Sequence, residues 1–148
     1  DLGTAEALLR FVLVERPSRV STRNKLAVLL MQKGKFSAAG ALLERGIAAA
    51  PRVASFHFNL GLLRYMTGEY RQALTALSRV EQLNPEHGKV HYLKGVVYEK
   101  MGLDESAQRE FVQELNVDPA TPAAWSRVTH GAVSPHVNRG WLASGDGK

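Results

Sequence analysis

The chain has 148 residues, the size of one ordinary domain, and its 45% hydrophobic and 22% charged content supports a buried core and argues against global disorder. It has no cysteine, which excludes a disulfide framework, a thiolate metal site and a cysteine nucleophile, and its longest apolar candidate, Leu26 to Met31, falls far short of the roughly 18–20 residues of a membrane-spanning helix. The net charge of +5 is uneven: residues 1–74 carry eleven Lys or Arg against five Asp or Glu, residues 75–148 eight against nine.

Apolar periodicity predicts helices near 3–15, 20–33, 37–49, 54–67, 71–83, 88–101, 105–116 and 122–131, paired as antiparallel hairpins with short loops. The first is followed by the densest basic stretch, Arg16, Arg19, Arg23, Lys25, Lys33 and Lys35, with no acid between Glu15 and Glu44. Such a basic end suits an acidic partner surface and equally a solvated face. In the second, Leu26, Leu29, Leu30 and Lys33 follow the i, i+3, i+4, i+7 rule with an amphipathic exit, and in the fifth Ala73, Leu77, Val80 and Leu83 run similarly. Asp104 and Glu105 open the seventh, where carboxylates favour the helix dipole. After the eighth, Pro135 interrupts and Ser144 to Lys148 is rich in Gly and Ser.

One period runs through these elements. Prolines fall at 17, 51, 85 and 119, alanines at 5, 39, 73 and 107, and glycines at 34, 68 and 102, all 34 residues apart. The Gly sits where a helix ends and the chain turns. The Pro stops the following helix. The Ala lies where two helices meet too closely for anything larger than methyl. The ranges follow: 1–19 as the second helix of a truncated repeat, repeats at 20–53, 54–87 and 88–121, a capping helix or partial repeat at 122–132 and a partly flexible tail at 133–148. A start in mid-repeat implies further repeats upstream, and Trp141 stands where a fourth repeat would need its small residue.

This pattern resembles the tetratricopeptide repeat family over residues 1 to about 130. The second repeat carries His57, Leu60-Gly61, Ala73, Leu77 and Pro85; the third carries His91, Gly95, Tyr98, Ala107, Phe111 and Pro119; the first, weaker, carries Arg23, Leu26-Ala27, Ala39, Leu43 and Pro51. The family's Trp position holds Arg23, His57 and His91 and returns to Trp at Trp125, while Lys94 replaces an expected Leu. The resemblance implies an all-α, right-handed solenoid of antiparallel helix pairs that holds ligands on its concave face.

That face is predicted to carry Ser21, Asn24, Val28 and Met31, then Ser55, Phe58, Leu62 and Tyr65, then Lys89, Tyr92, Val96 and Glu99. Val28, Met31, Phe58, Leu62, Tyr65, Tyr92 and Val96 form an apolar stripe, although curvature of the stack can bury part of it. Asn24, Asn59 and Lys89 would supply polar contacts that fix a partner's register. One branch of the family grips acidic peptide tails with a Lys, Asn, Asn, Lys, Arg clamp. Here only Asn59 and Lys89 match it, and Asn24, Val28 and Leu93 hold the other places, so the cationic fork is missing. A greasy stripe suits an amphipathic helix or an extended apolar segment better. Val133, Val137, Trp141 and Leu142 of the tail could fold back to occupy it.

The remaining chemistry is thin. His87 and His91 share a metal-site spacing, but no Asp, Glu or Cys stands beside them in sequence to complete four ligands, and the equivalent repeat positions of His57 and His91 suit packing. No catalytic constellation, metal or cofactor is expected. Nucleic acid is disfavoured because aromatics are not interleaved with the basic stretch. The expected function is a protein–protein interaction scaffold. The alternatives are a self-assembly module associating through open solenoid ends, or a regulatory arm of a larger multidomain protein. The compartment stays open, with the cytoplasm slightly favoured over the periplasm.

Overall fold

The computed structural model describes residues 1–16 and 19–128. Pro17 lies outside the described residues, as do the end of the expected 122–131 helix and the tail with Val133, Val137, Trp141 and Leu142. Among the described residues eight helices follow in order: α1 Leu2–Glu15, α2 Val20–Gln32, α3 Phe36–Ala49, α4 Ala54–Met66, α5 Tyr70–Leu83, α6 Val90–Lys100, α7 Asp104–Val117 and α8 Pro122–Val128. They fall into two compact units, Asp1–His87 and Gly88–Lys148. No helix among the described residues is long and apolar enough to cross a membrane.

The periodic glycines end the first helix of each hairpin by one hydrogen-bond pattern. Gly34, Gly68 and Gly102 have φ of +71°, +79° and +72°, where a Cβ would be strained. Behind each, the next amide reaches back to close the last turn. Lys35 N donates to Leu30 O at 2.8 Å, Glu69 N to Arg64 O at 2.8 Å and Leu103 N to Tyr98 O at 2.9 Å. The glycine amide itself donates to Met31 O, Tyr65 O or Glu99 O. This paired closure is the Schellman motif. The second helix of each hairpin ends differently. Ala50, Asn84 and Asp118 leave the helix at φ between −135° and −150°, the extended backbone a following proline demands.

The periodic alanines mark the close helix contacts. Ala39, Ala73 and Ala107 are 0%, 0% and 1% exposed. Ala5, in the same phase, is exposed, because no described helix precedes α1 to cover it. A second close approach lies inside α6: a Cβ on Gly95 would stand 2.5 Å from Phe111 Cε1, so the large ring of α7 fits only because α6 has no side chain there.

In the first unit Leu26, Leu30, Leu43, Phe56 and Leu63 form the core, with Leu9 and Leu13 of α1 packed against it. In the second, Phe111, Val112, Leu115, Ala124 and Val128 do so, with Tyr92, Val96 and Trp125 against them. The α6 helix begins two residues later than the sequence predicts. Lys89 adopts a left-handed conformation, φ +72°, and its amide donates to Glu114 Oε1 at 3.0 Å. Glu114 is 0% exposed and also accepts from Tyr92 N at 3.1 Å, so a buried carboxylate on α7 satisfies the first amides of α6.

Candidate functional site

In the first unit, α4 presents Phe58, Leu62 and Tyr65 on one side at i, i+4 and i+7, all half-buried. Phe58 stacks on His87 at 4.9 Å between ring centroids, and Tyr65 leans on Tyr70 at 6.2 Å. Leu62 packs its inner side against the core cluster. Each is therefore partly covered by a neighbour and partly accessible.

The polar residues of that face are tied to one another. Asn24 Nδ2 donates to Ser55 Oγ at 2.7 Å, and Asn59 Nδ2 donates to Asn24 Oδ1 at 2.8 Å. This chain of bonds stitches α2 to α4. Asn59 keeps its side-chain carbonyl for further bonding, whereas Asn24 is engaged through both its oxygen and its nitrogen. Val28 is half-buried and lines a shallow hollow of about 360 Å³ with Leu9, Asn24 and Leu29.

Met31 corrects the sequence reading. It shares the angular register of Tyr65 and Glu99, but it is 3% exposed and belongs to the core cluster with Leu30 and Leu63. It is not available to a partner.

In the second unit Lys89 is exposed, Tyr92 is half-buried with its ring 5.8 Å from that of Phe111, and Val96 is half-buried against the core. The residue groups Asn24, Val28, Phe58, Asn59, Leu62, Tyr65 and Lys89, Tyr92, Val96 thus each have a place within their own unit.

The position held by Trp in the family has a defined role. Trp125 Nε1 donates to Pro119 O at 2.7 Å, and His57 Nε2 makes the equivalent bond to Pro51 O at 2.8 Å. In both cases a ring N–H on the first helix holds the carbonyl of the repeat proline six residues back. His91 departs from this. Its Nδ1 donates to Glu110 Oε2 at 2.8 Å, and Lys94 Nζ lies 2.9 Å from Glu110 Oε1. Burial raises the Glu110 pKa, but the bonds from His91 and Lys94 outweigh it and hold the carboxyl below its ordinary value.

Sequence reasoning missed this acid beside His91. The signal was present: Glu110 stands in the register of Leu42 and Ala76, and Lys94 in that of Leu26 and Leu60, a pair of opposite charges breaking one apolar pattern. The fold does place an acid on His91, contrary to the reading from neighbouring positions, and that acid's other oxygen is occupied by Lys94. Among the described residues no group of three potential metal ligands assembles.

The basic end is partly neutralised within the fold. Lys33, Arg10 and Lys35 converge on Glu6, with Lys33 Nζ 2.5 Å from Glu6 Oε2 and Arg10 Nη2 3.0 Å from Oε1. Those bonds, chiefly from Lys33 and Arg10, depress the Glu6 pKa to about 2.

Comparison with known proteins bears on the whole surface. Tetratricopeptide repeat profiles match residues 1–54, 24–70 and 54–87. The human tetratricopeptide repeat protein 8 is 30% identical over 93 residues, 63% of this chain; the chain spans only 17% of that relative's length. Among solved structures, MamA is similar with a TM-score of 0.76 at 26% identity, covering 86% of this chain and 75% of its own. YrrB, described as a TPR protein with an unusual peptide-binding site, shares the fold with a TM-score of 0.74 at 18% identity over 84% of this chain and 64% of its own. The all-α solenoid of antiparallel helix pairs expected from the sequence is the fold class these neighbours share.

Proposed function

The chain belongs to the tetratricopeptide repeat family, and from that premise we propose that it holds a partner's amphipathic helix or extended apolar segment on the inner faces of its first helices. The fold itself supports a protein–protein interaction scaffold in general terms. The observation that carries the finer reading is the α4 row, Phe58, Leu62 and Tyr65, half-buried on one side of the helix and each packed against a neighbour. An apolar row of this kind at helical spacing receives a partner's apolar side chains. Within the first unit Val28 and Asn59 add apolar and polar contacts to it, and Asn24 acts indirectly by fixing Asn59; in the second unit Lys89, Tyr92 and Val96 form a row of their own on α6 and its N-terminus.

The test is binding of a partner captured with the intact protein, measured by titration calorimetry on wild type and Phe58→Glu. A charge buried against an apolar partner costs several kcal/mol, so micromolar binding should vanish while the far-UV spectrum stays helical. Unchanged affinity would move the site elsewhere.

One observation favours self-association as a second reading. On α1, Leu8, Phe11 and Val14 are 62%, 63% and 78% exposed. Later repeats place Arg45, Arg79 and Gln113 at the register of Phe11. Sedimentation across a concentration series decides it: a dimer that Phe11→Arg dissolves supports assembly through α1, and a monomer throughout removes it.

A further inference from the structure

The first unit carries a concave feature on a different face of α4 from the Phe58 row. The helices α3 and α5 both pack on α4 but barely on each other. Between them lies a cleft of about 1000 Å³, floored by His57, Leu60 and Arg64 and walled by Ile47 and Leu74. A smaller hollow of about 230 Å³ stands 34 residues earlier, lined by Arg10, Leu26, Leu30, Leu42 and Arg45. The two are the same site in successive repeats. Leu42 and Ala76 occupy one register, and the shorter side chain goes with the larger opening.

The lining of the larger cleft is amphipathic and biased in charge. Its floor and inner walls are apolar at Ile47, Leu60, Leu74 and Ala76. One lip is a polar edge of α5, Gln72, Thr75, Arg79 and Gln82, spaced 3, 4 and 3 residues apart. That edge runs about 15 Å, nearly three helical turns. Glu44 in the lining is neutralised by Arg64 at 3.1 Å. Arg79 bonds only the uncharged Gln82, at 3.0 Å, and meets no carboxylate among the described residues. The charged lining is thus Glu44 against Arg64 and Arg79, a surplus of one cation, in a unit whose residues 1–87 carry twelve Lys or Arg against seven Asp or Glu. The volume is at the top of the range of about 300–1,000 Å³ for small-molecule pockets, and it suits several side chains of one peptide.

We propose that this cleft is a second docking site, independent of the Phe58 row, and that its occupant is an acidic amphipathic helix from another protein. The helix would lie along α5, its apolar side chains over Leu60 and Ala76 and its carboxylates on Arg79. Ala76 widens the site: the same position filled by leucine, as in the preceding repeat, goes with a hollow of about 230 Å³.

The probe is a fluorescent synthetic helix of about fourteen residues with Leu on one face and Glu elsewhere, and a twin with Lys in place of Glu. Anisotropy is read against the full 148-residue chain. The acidic peptide should bind saturably and more weakly as salt rises. Ala76→Leu should weaken it by about tenfold or more, the loss of one buried leucine contact. Arg79→Glu, at an exposed side chain that the fold does not need, should weaken it about fivefold or more, which keeps the test valid should the first variant unfold. The proposal is overturned by no saturable binding at millimolar protein, equal binding of the Lys twin, full affinity in both variants, or loss in Phe58→Glu with retention in Ala76→Leu. A self-association abolished by Ala76→Leu would likewise overturn it, by naming a second copy of the chain as the occupant.

Discussion

The hairpin α4–α5 and the hairpin α6–α7 are built on one 34-residue frame, yet they fill one shared position with opposite chemistry. In the former, Leu60 and Ala76 are apolar, and His57 turns its ring N–H to the Pro51 carbonyl. In the latter, Lys94 and Glu110 replace them, and His91 turns its ring to Glu110. The backbone closures are the same in both, from Glu69 N to Arg64 O and from Leu103 N to Tyr98 O. The period therefore specifies where helices end and where they touch. It leaves the side chains between those marks free to be an apolar opening or a closed ionic knot.

The frame itself should be the hardest thing to change. Ala73→Trp forces a large ring into a contact that is 0% exposed, and thermal melts should show a loss of about 3 kcal/mol or more. Arg79→Ala, on the exposed face of the same helix, should leave the midpoint within the usual surface range of about 0.5 kcal/mol. Equal midpoints for the two variants would remove the close-contact role of the periodic alanine.

The contrast between the two hairpins can be broken next. Glu110→Ala leaves Lys94 and His91, both largely buried, without their acid, and denaturant titration should show a loss of about 2–4 kcal/mol. Lys94→Leu combined with Glu110→Ala rebuilds the Leu60–Ala76 chemistry and should restore stability to within about 1 kcal/mol of wild type, because a well-packed apolar pair substitutes for a buried ion pair. If the double variant is no better than the single one, the two hairpins are not interchangeable at this position. The pH dependence has a definite sign. The Glu110 pKa is lower folded than unfolded, so its stabilisation is present above the ordinary glutamate value and is lost as pH falls through the folded one.

The smallest effect belongs to Glu6. Its pKa drops from 4.5 to about 2 beside Lys33, Arg10 and Lys35, so its contribution is full above 4.5 and disappears on acidification towards 2. An acid titration followed by circular dichroism should lose part of its slope in that window in Glu6→Gln. An identical titration curve would show that the three cations are held by something other than this carboxylate.

Helix ends and helix contacts were legible in the sequence because they depend on single residues with special backbones or sizes: Gly34, Gly68 and Gly102, Ala39, Ala73 and Ala107, and the prolines. The common side of Phe58, Leu62 and Tyr65 on α4 was legible from their spacing alone. Periodicity gives the angle of a side chain about its helix and not what lies across from it, which is why Met31 was placed on the surface and found in the core. The same limit hid Glu114. Its acceptance of the Lys89 and Tyr92 amides joins positions 22 to 25 residues apart, beyond any local pattern. The cleft beside Ala76 was hidden too, because it is a difference between two repeats and a search for their likeness passes over it.

The bond from the Trp125 indole to the Pro119 carbonyl also fixes where the molecule can be watched by light. Both tryptophans, 125 and 141, fall after His87, and the first unit contains tyrosines but no indole. In a Trp141→Phe variant tryptophan emission reports the surroundings of Trp125 in the second unit, while circular dichroism averages the helices of both units. Coincident melts by the two signals would mean that the units unfold as one, and an emission change that runs ahead of or behind the loss of ellipticity would resolve them as separate cooperative blocks without any label being added.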